Sequence, residues 1–417
     1  MPVGVYISVP FCRTKCTFCN FASDVFSKAA YESYVARLLE DIAGSRQLAS
    51  ELGCRLDDSA DSIYLGGGTP SLLEGAQLLR VFAAVRNQFT VTPDAEITVE
   101  CAPGTLTPAL IETLQRCGVN RVSLGVQSFV DREAQSVGRL HNRAAVLEEI
   151  GRLREAALDN ISIDLIAGLP HQTLESWAYS VSETIATGVP HVSVYMLEVD
   201  DDSRLGRELI AGGARYHAHF VPDDDATADY YQHACETFAA AGIAQYEISN
   251  FARAAAEPQG NESRHNLKYW TRQPYLGFGV DAHSMLMADR DSPQAVRFAT
   301  PDSLDAYMNR AAKTVTPVSA QAAIEESFFL GLRLNRGVDL APIMFAPIMN
   351  CHPERSEGPA FVDSAIRSCI RDGLLEQQDT IVRLTARGRL LSNEVFARFL
   401  AEKTEETKVG TGRVNPR

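Results

Sequence analysis

The sequence predicts an α/β protein: a partial, TIM-like β/α barrel of six units, followed by a C-terminal α+β, winged-helix-like domain. Three observations predict it. Short β-branched runs alternate with amphipathic segments from residue 3 to about residue 198. Polar residues stand near the ends of successive strand candidates that are otherwise apolar. Beyond Asp225 the alternation stops. Parallel neighbours need crossover connections, so repeated β/α units imply a parallel sheet with helices outside it. Six units are too few to close an eight-stranded barrel, and the open mouth that results can admit a large flat ligand.

In chain order, the strand candidates are Val3–Val9, Ser62–Leu65, Glu96–Val99, Arg121–Val126, Ile161–Ile166 and His191–Leu197. Between the first strands, Tyr31, Tyr34, Val35, Leu38, Leu39 and Ile42 recur at helical spacing, as do Leu78, Leu79, Phe82 and Val85. Residues 226–241 read as a helix ended by Gly242, and residues 324–334 as another. Near the end, Ala365–Arg371, Gly373–Leu375, Ile381–Leu384 and Arg387–Phe399 read helix, turn, strand, helix. The expected domains are residues 1–225, residues 226–400 with an inserted surface loop near 347–360, and a disordered polar tail over 401–417. The insertion is marked by the Pro/Gly-rich run Asn350–Pro359, in which Cys351 and His352 are weak metal-ligand candidates.

Composition narrows the classes. A length of 417 residues suits one large domain plus a smaller one. Thirty-nine basic against 53 acidic side chains give a net charge of −14, which argues against a nucleic-acid surface. The winged-helix-like domain is therefore expected to pack or dock a partner rather than to bind DNA. Nine cysteines, three of them clustered, do not form a secreted disulfide pattern. With no secretory leader and no apolar run of about 20 residues to span a bilayer, a cytoplasmic, reducing location is expected.

The clustered thiols are Cys12, Cys16 and Cys19, directly after the first strand. Three thiolates on one short loop can hold three irons of a [4Fe–4S] cluster and leave the fourth open. S-adenosylmethionine (SAM) can chelate that iron by its amino and carboxylate groups, and an electron delivered to its sulfonium releases a 5′-deoxyadenosyl radical. Structural zinc usually takes four ligands in paired spacings, but positions 20 and 21 are Asn and Phe. Zinc with a distant fourth ligand is the competing reading. The Cys-x3-Cys-x2-Cys spacing after a first strand resembles the radical SAM superfamily.

Gly66-Gly67-Gly68-Thr69-Pro70 ends the second strand, where glycines let backbone groups approach a ligand closely. No Lys-Ser/Thr pair follows, which disfavours a P-loop. Glu100, Gln127 and Asp164 end later strands, with Arg139 in a following loop. Buried polar groups need partners, so each reads either as an internal salt-bridge residue or as part of one ligand pocket at the mouth.

Tyr6 through Cys19, Gly66–Pro70, Glu100, Gln127, Arg139 and Ile163–Pro170 together resemble the oxygen-independent coproporphyrinogen III oxidase family. The resemblance implies that the three cysteines hold the cluster. It also implies that Tyr6, Phe18, Gly67, Gly68, Thr69, Glu100, Gln127, Arg139 and Asp164 surround SAM. Two departures point to the HemW haem chaperone branch: Phe21 stands where the oxidases carry a fourth cysteine, and the first strand begins within a few residues of Met1. His265-Asn266-Leu267-Lys268-Tyr269-Trp270 is similar to the His-Asn-x-x-Tyr-Trp motif of that branch. His265 can offer an imidazole to haem iron while Tyr269 and Trp270 present flat apolar surface; the competing reading is that all three pack in the core. The resemblance implies haem as cargo, recipient haem proteins as partners and a homodimer in some states. The alternative is oxidative decarboxylation of coproporphyrinogen III to protoporphyrinogen IX.

Overall fold

A computed structural model describes residues 1–255, 260–288, 294–344 and 358–400. The chain divides into two compact units, Met1–Ser319 and Ala320–Arg417.

Among the described residues, the first unit is organised by one sheet of twelve strands. Six come from the predicted β/α units: β1 (Val3–Val9), β2 (Ser59–Gly67), β3 (Thr90–Cys101), β4 (Arg121–Gln127), β5 (Ile161–Ala167) and β6 (His191–Met196). They pair in parallel in chain order. Later strands extend both sides: β7 (Ile243–Gln245) and β8 (Asn250–Arg253) beyond β6, and β9 (Tyr275–Gly279), β10 (His283–Met287), β11 (Ala295–Ala299) and β12 (Thr314–Val318) beyond β1. β9 runs parallel to β1, whereas β8 is antiparallel to β6. Among the described residues the sheet does not close, since β12 and β7 are its two edges. The boundary expected after residue 225 falls inside this unit, because strands on both sides of it share the sheet.

Alternation along the strands sets the chemistry of the two faces. Val3, Val5, Ile7 and Val9 of β1, Ile63 and Leu65 of β2, Ile97 and Val99 of β3, and Val122, Leu124 and Val126 of β4 are all buried. The alternate positions carry Tyr6 and Ser8, Ser62 and Tyr64, Glu96, Thr98 and Glu100, Arg121 and Ser123, then Asp164 and Ser193. Parallel strands covered on both faces usually read as continuous apolar runs. Here the register aligns a polar row instead, with Tyr6, Tyr64, Thr98 and Arg121 on successive strands. That row lines the interior of the open barrel.

The crossover helices begin and end on local signals. Helix Gly75–Gln88 opens with a capping box between Glu74 and Gln77. Helix Leu174–Thr187 opens on Thr173 and stops at Gly188, whose φ of 68° suits a residue without Cβ.

In the second unit, helices Ala320–Gly331 and Gly358–Arg371 accompany an antiparallel sheet of β13 (Val338–Asp339), β15 (Ile381–Leu384) and β14 (Leu375–Gln378), in that spatial order. Phe328 and Phe399 stack at 4.9 Å in its core. The single helix expected over Arg387–Phe399 is two short ones, Ala386–Leu390 and Ser392–Ala397, because Leu391 leaves helical geometry between them. Residues 345–357, the bulk of the expected insertion, and the expected tail 401–417 lie outside the described residues.

Candidate functional site

The cysteine loop is held in place before any ligand is considered. Phe11 is buried and stacks on Tyr31 at 3.9 Å. The amide of Cys12 donates to Asp24 O at 3.0 Å, and that of Asp24 donates to Pro10 O at 3.0 Å. Further along, Thr17 N–H donates to Val137 O at 3.2 Å and Thr14 Oγ1 to Gly138 O at 2.9 Å, tying the loop to the segment that follows β4.

Cys16 is buried, Cys12 and Cys19 are half-buried, and all three are free thiols. Burial pushes the thiols of Cys12 and Cys19 up; Cys16 pushes Cys12 further, and Cys16 and Cys12 push Cys19 further. Gly68 leaves the room they use: a Cβ there would stand 3.1 Å from Cys12 Sγ and 2.7 Å from Phe11 O. Thr69 Oγ1 donates to Cys12 Sγ at 3.9 Å. Among the described residues, no three Cys, His, Asp or Glu side chains are gathered for a single metal ion. The donor set fits an iron–sulfur cluster, three of whose irons each take one thiolate and whose positive charge offsets the cost of three anions, one buried and two half-buried.

The expected SAM residues meet beside this loop, at the C-terminal ends of the strands. Arg139 reaches from the loop after helix Asp131–Ser136: Nη1 donates to Cys16 Sγ at 3.6 Å and Nη2 to the Gly125 carbonyl. Gly125 is the slot that admits it, since a Cβ there would lie 3.0 Å from Arg139 Nη2 and 3.1 Å from Gln127 Nε2. Gln127 ends β4 on left-handed backbone, φ 69°. Among the described residues, its Oε1 and the Nε of Arg139 are buried without a hydrogen-bond partner. Orphaned polar atoms of this kind are costly, and an acceptor and a donor side by side suit a polar ligand.

Two carboxyls complete the polar wall. Glu100 accepts from Tyr64 Oη at 2.8 Å; burial pushes it up to about 7, and the charge of Asp164 adds to that. Burial also raises Asp164, against the hydroxyls of Ser193 and Ser123 and the cations of Arg121 and Arg139. The Ser123 hydroxyl lies 3.1 Å from both of its oxygens. Phe18 packs on the apolar group Val137, Ile166 and Leu169 at the edge of this wall. Tyr6 lies one layer deeper, its ring 6.1 Å from that of Tyr64.

His265, Tyr269 and Trp270 occupy a different place. They belong to helix Arg264–Trp270, which packs at the N-terminal end of the strands: a Cβ on Gly4 would meet Lys268 Cδ at 2.8 Å and His265 Cε1 at 3.2 Å. Glu96 accepts the first amides of this helix, Arg264 N–H and His265 N–H, each at 3.0 Å. His265 is 1% exposed. Its Nδ1 is paired with Ser62 Oγ at 2.9 Å and its Nε2 with Tyr269 Oη at 2.8 Å. Burial and the nearby Lys268 and Arg121 push it down to about 3, so it is neutral. Lys268 pairs with Asp61 at 2.8 Å. In this arrangement His265 has no ring nitrogen open to a ligand, and its helix packs at the N-terminal end of the strands rather than at the mouth.

Sequence reasoning missed Arg121, Tyr64 and Ser123. Arg121 is 2% exposed, and its charge acts on Glu100, Asp164 and His265 together. The available signal was period two: each is a polar residue at the inward register of an apolar strand.

An open parallel β/α sheet, with three thiols on the loop after its first strand and a polar pocket at the strand ends, defines a radical SAM protein. Residues 6–182 match the family model of the Radical SAM superfamily. The chain is 32% identical over 406 residues to the Heme chaperone HemW of Lactococcus lactis, covering 96% of this chain and 98% of that one. It is equally similar to the Heme chaperone HemW of Bacillus subtilis, 32% over 406 residues, and 33% identical over 283 residues to that of Escherichia coli, covering 68% and 70% of the two chains. The chain belongs to the HemW family. The coproporphyrinogen III oxidase (HemN) from Escherichia coli, described as a radical SAM enzyme, shares the fold, with a TM-score of 0.76 at 22% identity over 95% of this chain and 90% of that one. Superfamily membership implies a [4Fe–4S] cluster and SAM. Among the described residues no helix is long and apolar enough to cross a membrane.

Proposed function

We propose that this chain is a haem chaperone, which binds haem and passes it to respiratory haem proteins with the help of a [4Fe–4S] cluster and SAM. The observation that carries this reading is similarity to HemW proteins along nearly the whole chain, at 32% identity. Phe21, where the oxidases carry a fourth cysteine, agrees with it.

When bound, a cluster on Cys12, Cys16 and Cys19 supplies an open iron and an electron. The chain's own residues do the rest. Arg139 sets its guanidinium between the cysteine loop and β4, where it can hold a carboxylate. Gln127 offers its unpartnered Oε1, and Asp164, kept in place by Ser123, can take ribose hydroxyls. Glu100, whose carboxyl burial pushes up to about 7, can accept a hydrogen bond from an ammonium group. Ligation of haem by His265 carries a fixed requirement: one ring nitrogen must leave Ser62 or Tyr269, which means that residues 264–270 move away from Gly4. Association of two chains belongs to the same proposal.

The competing function is oxidative decarboxylation of coproporphyrinogen III, for which the shared fold with HemN is the support. Anaerobically reconstituted protein incubated with coproporphyrinogen III, SAM and a reductant, beside a haem titration, separates the two. The chaperone reading expects stoichiometric haem binding and no protoporphyrinogen; turnover overturns it.

A further inference from the structure

We infer that His171 and His217 form a two-histidine site for a divalent transition-metal ion, at the end of the sheet that carries the cysteine loop. His171 lies in the turn after β5, and His217 directly precedes the short helical turn Ala218–Phe220. His171 Nε2 faces His217 Nδ1 at 3.3 Å, with the ring planes at 62°. Two imidazole nitrogens each ~2.1 Å from a zinc ion, and ~3.4 Å apart, subtend about the tetrahedral angle. The pair therefore already has the separation of two adjacent ligands.

The surroundings hold that geometry. Both histidines sit on left-handed backbone, φ 69° and 62°, a conformation that non-glycine residues keep only where neighbours enforce it. His171 N–H donates to Phe220 O at 2.9 Å. Glu208 accepts from Tyr216 N–H at 2.7 Å and Ala218 N–H at 3.1 Å, bracing the chain on both sides of His217. The Phe220 ring lies 4.2 Å from that of His171 and covers one side of the pair.

Arg132 Nη2 lies 3.3 Å from His171 Nδ1 and can only donate. In the metal-free protein, His171 accordingly carries its hydrogen on Nε2 and gives it to His217 Nδ1. Binding moves that hydrogen to His171 Nδ1, leaving two lone pairs on the ion with no net proton release and no redox change. Arg132, an exposed side chain, turns away. Among the described residues no third Cys, His, Asp or Glu completes the set, so water or an added ligand takes the remaining positions. Imidazole pairs suit zinc, nickel and copper.

The test uses the full chain with its iron–sulfur cluster reconstituted, so that Cys12, Cys16 and Cys19 are occupied. Zinc is titrated against a chromophoric chelator in the wild type and in His171→Asn, His217→Asn and Arg132→Ala; asparagine tolerates the left-handed backbone. The expected result is one zinc site, weakened at least tenfold in each histidine variant and strengthened severalfold in Arg132→Ala. Unchanged stoichiometry and affinity in both histidine variants overturns the site. Cobalt substitution reads the ligands independently of folding: visible bands without thiolate charge transfer support the pair, and a thiolate band overturns it.

Discussion

Arg139 bridges the cysteine loop and the fourth strand: its Nη1 donates to Cys16 Sγ at 3.6 Å while its Nη2 donates to the carbonyl of Gly125. One cation thus touches the Cys16 thiol, lies beside Gln127 at Gly125 and acts by its charge on Asp164. Among the described residues its Nε is buried without a partner, which leaves a donor for an acceptor on a ligand.

Replacing Arg139 with Gln keeps the loop but removes the charge. A hydrogen bond to a charged group contributes about 1.5–3 kcal/mol, so SAM affinity should fall by roughly tenfold to a hundredfold while iron content stays near that of the wild type. Anaerobic calorimetry beside iron analysis checks this; unchanged SAM affinity would show that the guanidinium serves the loop alone.

Gly68→Ala tests the space around the first cysteine. Its Cβ would press on Phe11 O at 2.7 Å and Cys12 Sγ at 3.1 Å. Cluster content after reconstitution should drop severalfold with far-ultraviolet circular dichroism unchanged. Full iron loading in this variant would mean that the loop can move aside.

Glu100 gives a pH dependence with a definite sign. Its carboxyl is raised from 4.5 to about 7 by burial, with the charge of Asp164 adding to the rise. The folded protein therefore binds this proton more tightly than the unfolded chain. Its stabilising effect is complete below pH 4.5 or so and is lost as pH rises towards 7. Glu100→Gln should remove this contribution, so the difference between its urea midpoint and that of the wild type should grow in the variant's favour from about pH 5 to pH 8. Parallel midpoints over that range would contradict it.

His265 separates structure from ligation. His265→Ala leaves Ser62 and Tyr269 without their partner, and about 1–3 kcal/mol of stability should be lost for the unpaired groups. If haem iron is bound through His265, haem must also raise hydrogen exchange over residues 264–270, and the variant must lose the Soret shift. A Soret band and haem affinity equal to the wild type would place the haem elsewhere.

The parallel core was legible because its signal is local. Each of the six strands announces itself by β-branched residues, and the three thiols stand on a single short loop. The strands that follow Asp225 were harder to assign, since β9 pairs with β1 across more than 260 positions of sequence and nothing local encodes that partnership. The pocket was read from strand ends alone. Tyr64, Ser123 and Arg121 escaped notice because a tyrosine, a serine and an arginine inside apolar runs look unremarkable until register lines them up. His265 shows the opposite failure: its motif is conspicuous, yet its partners Ser62, Glu96 and Gly4 lie on three distant strands, so its burial could not be read from its neighbours.

Electron paramagnetic resonance of the anaerobically reconstituted, reduced protein, recorded before and after SAM is added, tests most directly whether Cys12, Cys16 and Cys19 hold a cluster with one open iron. A [4Fe–4S] signal is expected whose shape changes on SAM addition and which disappears in Cys12→Ser, Cys16→Ser and Cys19→Ser alike. A colourless protein that retains zinc, or a cluster signal indifferent to SAM, would contradict it.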